Sequence, residues 1–410
     1  MKNKTICVVG LGYIGLPTAA LLASSGYQVV GIDVSTHAVE TINQGLIHIV
    51  EPDLDAYVRS TVSAGRLKAF TSPQAADIYI ICVPTPFHEG EGIPQPNIDF
   101  VLAATRSIAS YVKAGDMVIL ESTSPVGTTQ KMSEILSDAG VDVSTIFMAY
   151  CPERVLPGKI MMELVENDRV VGGLTPEATQ QVSSFYRTFV RGAVLETEAK
   201  TAEMCKLTEN SFRDVNIAFA NELSLLCAKD GINVWKLIEL ANRHPRVNVL
   251  QPGAGVGGHC IAVDPWFIVA RDPENSRMIR TAREINNYKT AWVIDQIKIA
   301  AADVTARTGR KAKIACLGLA FKPDIDDLRE SPAVHITQKL LADGYDLVAV
   351  EPNIETYDCF ELVSLGDALA KSDLIVILVK HREFFEAAIN GLLNRDGVLD
   401  FCGITMHLSH

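Results

Sequence analysis

TICVVGLGYIGLPTAALLASSGYQVVGID, residues 5–33, sets the reading of the whole chain. Residues 5–10 are a short apolar, β-branched run; glycines follow, then TAALLASSG with helical composition, then the strand-like YQVVGID. Gly10, Gly12 and Gly15 fall in the GxGxxG pattern between a strand and a helix. In that setting the first glycine permits a tight turn and the second lets backbone amides reach a pyrophosphate. The third lets helix and strand pack closely, with the helix N-terminus facing the phosphates. Asp33 ends the second strand, 21 residues past Gly12. Its carboxylate can accept from both ribose hydroxyls and repels a 2′-phosphate, so the stretch predicts NAD rather than NADP.

Outward from this unit, ADIYIICVP (76–84) and DMVILES (116–122) repeat the strand signal with helical segments between them. Strands alternating with helices predict a parallel, doubly wound sheet. The plan returns late in the chain: KIACLGLAF (313–321) reads as a strand, SPAVHITQKLLADG (331–344) as a helix, and YDLVAVEP (345–352) as a strand. GYDLVAVE (344–351) repeats the residue order of GYQVVGID (26–33), and ALAKSDLIVILVKH (368–381) echoes QAADIYIICVPTP (74–86). This second unit has no GxGxxG and its strand-end acid is Glu351, so it is expected to hold something other than the pyrophosphate of NAD.

Between the two lie long helical patterns at 201–231 and 281–309, each with a glycine stop. In the first, Met204, Leu207, Val215, Ala218, Phe219 and Leu226 recur near a 3.6-residue period, the spacing of a helix. The predicted fold is α/β, two doubly wound Rossmann-like domains joined by a central helical region. Its expected boundaries are 1–198, 199–308 and 309–410, with the long helices supplying a dimer interface.

The net charge of −12 argues against nucleic acid or an anionic membrane as partner, since both need a basic face. No run approaches the ~18 apolar residues of a membrane span. The basic start followed by an apolar stretch superficially resembles a secretion signal, but glycines and Pro17 interrupt it. No two of the nine cysteines lie closer than 22 positions, which excludes a CxxC pair and suits a reducing cytoplasm.

One cysteine stands apart. GVGGHCIAVD (255–264) crowds three glycines up to Cys260, with Asp264 four residues on. A cysteine buried for packing normally sits among side chains, which these glycines remove. A zinc set through His259, Cys260 and Asp264 lacks further clustered ligands. The remaining reading is a thiolate nucleophile beside an NAD site, its glycines clearing room for a substrate. A dehydrogenase needs such a cysteine to carry an aldehyde on to an acid through a thioester. Lys206 and Asn210, spaced i, i+4 in KLTEN, share one helix face as a candidate oxyanion site, unless that face is simply solvated.

Taken together, GLGYIGLPTA, VPTP, ESTSPVGTT, CPERVLPGK, KLTENSFRDVNIAFANE, GVGGHC with Asp264, and GLAFKPDIDDLRESP resemble the UDP-glucose/GDP-mannose dehydrogenase family. Its members use NAD to oxidise the C6 alcohol of a nucleotide sugar to a carboxylate in two steps. LIHIVEPDL, CPERVLPG, NDRVVGG, ANRHPRVNVLQPG and HCIAVDPWFI resemble the members acting on UDP-N-acetyl-D-mannosamine, which make precursors of surface polysaccharide. UDP-glucose members tend instead to carry NPEFLREG and CxPKD. Val263 stands where that lysine usually sits, so no cofactor contact is carried over to it.

The resemblance implies a role for each matching residue. Cys260 is the expected nucleophile, Lys206 and Asn210 stabilise the oxyanion, and Asp264 orients Lys206 or a water. Thr123 helps hold that water and lies near the cofactor, while Glu153 acts as general acid/base in thioester hydrolysis. Gly10, Gly12, Tyr13, Ile14, Gly15 and Asp33 cradle NAD, Val83, Pro84 and Thr85 line its adenosine or nicotinamide side, and Arg329 reaches it. Arg154, Val155, Arg213 and Gly257 belong to the expected substrate site, where Phe321 and Lys322 meet UDP. His244 helps choose the sugar, and Arg246 reaches the sugar nucleotide from the partner subunit of a homodimer.

Overall fold

The computed structural model describes residues 4–88, 90, 92–156, 158–258 and 260–405. Two compact units divide the chain, Met1–Glu209 and Asn210–His410.

The first unit contains β1 (Thr5–Val9), β2 (Gln28–Ile32), β3 (Leu67–Phe70), β4 (Ile78–Ile81), β5 (Phe87–His88), β6 (Gln95–Pro96), β7 (Met117–Leu120), β8 (Phe147–Tyr150), β9 (Arg169–Gly173) and β10 (Val194–Glu198). Eight of these form one sheet in the order β10-β9-β8-β7-β4-β1-β2-β3, and β5 with β6 makes a separate hairpin. The six strands from β3 to β8 pair in parallel, whereas β9 meets β8 antiparallel and carries β10 parallel to itself. IYII of β4 and MVIL of β7 are buried at every position. Continuous apolar runs of this kind mark parallel strands covered on both faces. Leu16, Leu22, Val58 and Phe185 pack in one core cluster, Ile108, Met132 and Leu136 in another.

Parallel strands deliver their C-terminal loops to one edge. Gly10–Ile14 follow β1, Asp33 follows β2, Val83–Thr85 follow β4, Thr123 follows β7 and Glu153 follows β8. The strand order reverses where β4 and β2 flank β1, the place where open α/β sheets bind ligands.

The second unit has a four-stranded parallel sheet of β11 (Lys313–Leu317), β12 (Asp346–Val350), β13 (Leu374–Ile377) and β14 (Val398–Asp400), in the order β12-β11-β13-β14. Val293, Ile297, Ala301 and Val304 of the helix Arg277–Thr308 share a core with Ile314, Cys316 and Ile336. Gly309 ends that helix in the left-handed region, φ 70°, as its position predicts.

The structure departs from expectation in two places, a strand end and added strands. The strand expected over 313–321 stops at Leu317, because Gly318 turns the chain at φ 90° and a Cβ there would stand 2.5 Å from Val379 Cβ. The strands β9 and β10 and the small hairpin were not anticipated. In the helix Ala199–Asp230, Leu207 and Ala218 are buried, but Met204, Phe219 and Leu226 are 37%, 52% and 57% exposed. The buried side of that helix in the second unit is polar instead. Asp214 pairs with Arg283 at 2.6 Å and accepts from Asn286 at 2.8 Å. Asn221 donates to Asn286 at 2.9 Å, and Lys289 donates to Ser224 at 2.8 Å. Polar groups buried against one another in this way fix the register of two helices, which an apolar stripe does less strictly. Among the described residues, no helix is long and apolar enough to cross a membrane.

Candidate active site

The glycine turn has the shape of a dinucleotide cradle. Gly10 lies at φ 90°, and an added Cβ would stand 2.6 Å from the Cys82 carbonyl oxygen. At Gly15 a Cβ would stand 1.7 Å from the Gly10 carbonyl oxygen, so only hydrogen fits. Gly12 differs: nothing lies within 4 Å of where its Cβ would be. Its bareness serves no protein neighbour and leaves the backbone open to a ligand. The Asp33 carboxylate accepts from Leu11 N and Ser35 N, each at 2.9 Å, which ties the acid to the turn. An open glycine, a helix N-terminus and a tethered strand-end carboxylate fit the pyrophosphate and ribose of NAD.

Farther along the same edge, hydroxyls stitch neighbouring strand ends together. Thr85 Oγ1 donates to Thr123 O at 2.6 Å, and Ser122 Oγ donates to Val83 O at 2.7 Å. The expected cofactor-side residues Val83, Thr85 and Thr123 are therefore joined by hydrogen bonds across the two strand ends.

Glu153 is buried, and its carboxylate faces Arg169 Nη1 at 2.5 Å and accepts from Arg154 N at 2.7 Å. Lys206 Nζ donates to the Glu153 carbonyl oxygen at 2.7 Å. Arg154 forms an ion pair with Glu209 at 2.7 Å, and its neighbour Val155 is half-buried. Glu121 lies beside this group, accepting from Tyr186 OH at 2.6 Å and facing Cys82 Sγ at 3.3 Å. Burial pushes the Glu121 carboxyl above its usual range, with the Arg169 charge acting against that and the Glu153 charge adding to it. Arg169, Glu121 and Tyr186 carry no sequence signal of their own. NDRVVGG entered the sequence reading only as a resemblance.

In the second unit, the turn bearing Cys260 is fastened at both ends. Asn221 Oδ1 accepts from Gly253 N at 3.0 Å, and Thr290 Oγ1 donates to Ala254 O at 3.0 Å. At the far end Asp264, 2% exposed, opens the helix Asp264–Arg271 and accepts from Asn210 Nδ2 at 2.5 Å. Asp264 N donates to Cys260 O at 2.8 Å, closing the turn while Cys260 itself stays exposed. The glycines were expected to clear room for substrate, and here the structure corrects the reading. A Cβ on Gly255 would lie 2.2 Å from Thr290 Oγ1, one on Gly257 2.4 Å from Glu330 O, and one on Gly258 2.8 Å from Phe321 Cε2. Protein, not ligand, fills the space these side chains would need.

The remaining expected residues are more scattered. Arg329 forks onto Asp327 at 2.8 and 2.6 Å within its own loop. Lys322 is half-buried beside Phe321, and Arg213 is exposed. His244 Nδ1 accepts from Arg246 N at 3.3 Å, and both side chains are exposed. Among the described residues no three His, Cys, Asp or Glu are grouped to hold a metal ion; His259 lies outside them.

The profile of the UDP-glucose/GDP-mannose dehydrogenase family matches residues 4–190 as its NAD binding domain, 200–288 as its central domain and 315–407 as its UDP binding domain. The chain is 56% identical to the UDP-N-acetyl-D-mannosamine dehydrogenase of Yersinia pestis, covering 94% of this chain and 95% of that protein. It is 53% identical to an NDP-N-acetyl-D-galactosaminuronic acid dehydrogenase of Ralstonia nicotianae, covering 96% and 94%. The solved structure of a UDP-D-ManNAc dehydrogenase from Pyrococcus horikoshii superposes with a TM-score of 0.88 at 38% identity, covering 98% and 96%. With its motifs in order from end to end, the chain belongs to the UDP-glucose/GDP-mannose dehydrogenase family and is an NAD-dependent nucleotide-sugar dehydrogenase.

Proposed function

We propose that the enzyme oxidises UDP-N-acetyl-D-mannosamine at C6 to the uronate, with two NAD reduced per sugar. The observation that carries this reading is the 56% identity to a UDP-N-acetyl-D-mannosamine dehydrogenase across 94% of the chain. In this reading residues 1–198 hold NAD, 199–308 carry the long helices and Cys260, and 309–410 take the UDP portion. The acid product suits assembly into a surface polysaccharide.

NAD, when bound, supplies the hydride acceptor for each of the two oxidations. The chain's own residues do the rest. Amides of Gly10–Gly15 meet the pyrophosphate, Asp33 the ribose hydroxyls, and Val83, Pro84, Thr85, Thr123 and Arg329 the remainder. Arg154, Val155, Arg213, His244, Gly257, Phe321 and Lys322 bind the nucleotide sugar. The Cys260 thiolate adds to the C6 aldehyde, giving a thiohemiacetal whose oxidation leaves a thioester on sulfur. Lys206 and Asn210 stabilise the oxyanion at both stages; Asn210 gives one Nδ2 hydrogen to Asp264 and keeps a second for the substrate. Glu153, ion-paired with the buried Arg169, takes the part of general acid/base in hydrolysis of the thioester. Thr123 helps orient the attacking water. The thioester is then hydrolysed and Cys260 returns as thiol.

The family proceeds here as a homodimer in our reading, with Arg246 contributed to the partner's site. Phe212, Phe219 and Leu226 recur every seven residues on one helix and are 68%, 52% and 57% exposed, a stripe suited to a second copy.

Two results test the assignment. Across a panel of UDP sugars, kcat/KM is expected to be highest for UDP-N-acetyl-D-mannosamine; a higher value for UDP-N-acetyl-D-galactosamine, UDP-N-acetyl-D-glucosamine or UDP-glucose reassigns the substrate. Asp33→Ser is expected to lower kcat/KM for NAD about 10- to 100-fold, as loss of hydrogen bonds to a charged acceptor implies, and to narrow the preference over NADP. Unchanged coenzyme kinetics would remove Asp33 from the site.

A further inference from the structure

The second sheet repeats one device of the first and alters it. In the first, Gly10 turns the chain at φ 90° and the strand-end Asp33 accepts from the next amide, Leu11 N, at 2.9 Å. In the second, Gly318 turns at φ 90° and the strand-end Glu351 accepts from the next amide, Leu319 N, at 2.7 Å. Asp33 is half-buried, whereas Glu351 is 5% exposed and its oxygens are occupied. Oε2 also accepts from Ala320 N at 3.0 Å and faces His381 Nε2 at 3.0 Å, while Oε1 accepts from Asn353 N at 3.1 Å and Asn353 Nδ2 at 3.0 Å. A carboxylate so engaged has no oxygen left for ribose hydroxyls, so it serves the loop that follows β11.

His381, 1% exposed, carries the link onward. Its Nδ1 accepts from Asp324 N at 2.9 Å, so that nitrogen bears no proton and Nε2 is the donor to Glu351. The Asp324 carboxylate returns the bond by accepting from Arg382 N at 2.8 Å. Asp324 sits at φ 60° and Glu330 at φ 51°, left-handed conformations that a loop keeps only when its surroundings hold it there. Between them Phe321 N donates to Asp327 O at 3.1 Å. This same loop presses on the turn bearing Cys260: Phe321 abuts Gly257 and Gly258, Glu330 O abuts Gly257, and Pro332 abuts Gly255 and Gly257. Any shift of 319–331 is therefore transmitted to residues 255–258, two positions from the sulfur's own residue.

We infer that His381 is a positioning residue: joined to Glu351 and Asp324, it holds the 319–331 loop in the form that receives the uridine diphosphate group and sets the Cys260 turn against Phe321. The inference deepens the function proposed above and rests on it for the nucleotide's identity. Glu351 is well suited to the task. Although burial works to raise its carboxyl, the His381 bond and the Leu319 and Ala320 amides lower it, which favours the ionised acceptor.

The test compares His381→Phe with His381→Asn in the full-length enzyme. Phenylalanine keeps a ring beside Phe384, where the rings now meet edge to face at 5.4 Å, but loses the hydrogen bonds to Glu351, Asp324 N and Asn353. Asparagine can place an acceptor near the Nδ1 position and so keeps the tie to Asp324 N. For His381→Phe we expect UDP affinity by calorimetry to fall about tenfold, as loss of one to two hydrogen bonds implies. The rate of Cys260 alkylation by iodoacetamide, read on its peptide, is expected to change severalfold. His381→Asn is expected to recover most of both. If His381→Phe does not accumulate as folded protein, Glu351→Gln reads the same link and is expected to weaken UDP in the same way. Unchanged UDP affinity and unchanged alkylation in a folded variant overturn the inference. Both readouts are independent of turnover, so inactivity on UDP-N-acetyl-D-mannosamine would overturn the proposed substrate and leave this inference standing.

Discussion

Cys260→Ser is expected to abolish net acid formation, by a thousandfold or more on the order of magnitude seen when a nucleophile is removed, while NAD affinity stays unchanged. A thiol of pKa ~8.5 supplies some thiolate at neutral pH and a nearby cation supplies more, whereas a serine hydroxyl supplies essentially no alkoxide without a dedicated base. The fold isolates the effect. Residues 4–190 match the family's NAD binding domain, and the expected NAD residues Gly10, Gly12, Gly15 and Asp33 lie within Met1–Glu209, whereas Cys260 belongs to the other unit. Cys260 is exposed and its turn is fastened through Gly253, Ala254 and Asp264, so exchanging sulfur for oxygen leaves the fastenings in place. Quantifying uronate by mass spectrometry checks this. Acid formation above about a tenth of the parent rate would show that another group carries the acyl transfer.

Arg169→Met is expected to destabilise the first unit by about 3–5 kcal/mol, the usual cost of stripping one partner from a buried ion pair. Arg169 is 1% exposed and stands between Glu153 at 2.5 Å and the Leu164 carbonyl at 3.1 Å, with the Tyr186 ring 5.5 Å from its guanidinium. Removing it leaves the Glu153 carboxylate buried without a cation and removes the charge that opposes the upward push on Glu121. Thermal unfolding should fall by roughly 10 °C for a unit of this size. The double variant Arg169→Met with Glu153→Gln is expected to regain part of the loss, because a pair of neutral groups costs less than one stranded charge. A double variant no more stable than Arg169→Met alone would mean that the ion pair is not the source of the effect.

These two sites also show what the sequence could and could not disclose. The glycine turn was legible because its pattern and the strand-end acid all lie within residues 5–33, although the neighbour that Gly10 must clear, Cys82, lies far along the chain. The strands β1, β2, β4, β7, β11, β12 and β13 were legible because strands covered on both faces must be apolar throughout. Arg169 and Glu153 meet across 16 residues, and Tyr186 reaches Glu121 across 65. A single polar residue in an apolar strand has no period to announce its partner. The glycines of GVGGHC gave half of their meaning: side chains had to be absent there, but Phe321, Glu330 and Pro332, which fill the space, lie more than 60 residues onward. The period of the helix Ala199–Asp230 disclosed the helix but not which of its sides is buried. Phe219 and Leu226 face outward while Asp214 and Asn221 are buried against Arg283 and Asn286.

The central claim is a two-step oxidation completed on one cysteine. Its most direct measurement is the ratio of NADH formed to uronate formed from UDP-N-acetyl-D-mannosamine, with limiting sugar and excess NAD. The account predicts two NADH for each sugar acid and no accumulated aldehyde. One NADH for each sugar, with a C6 aldehyde as the released product, would contradict it.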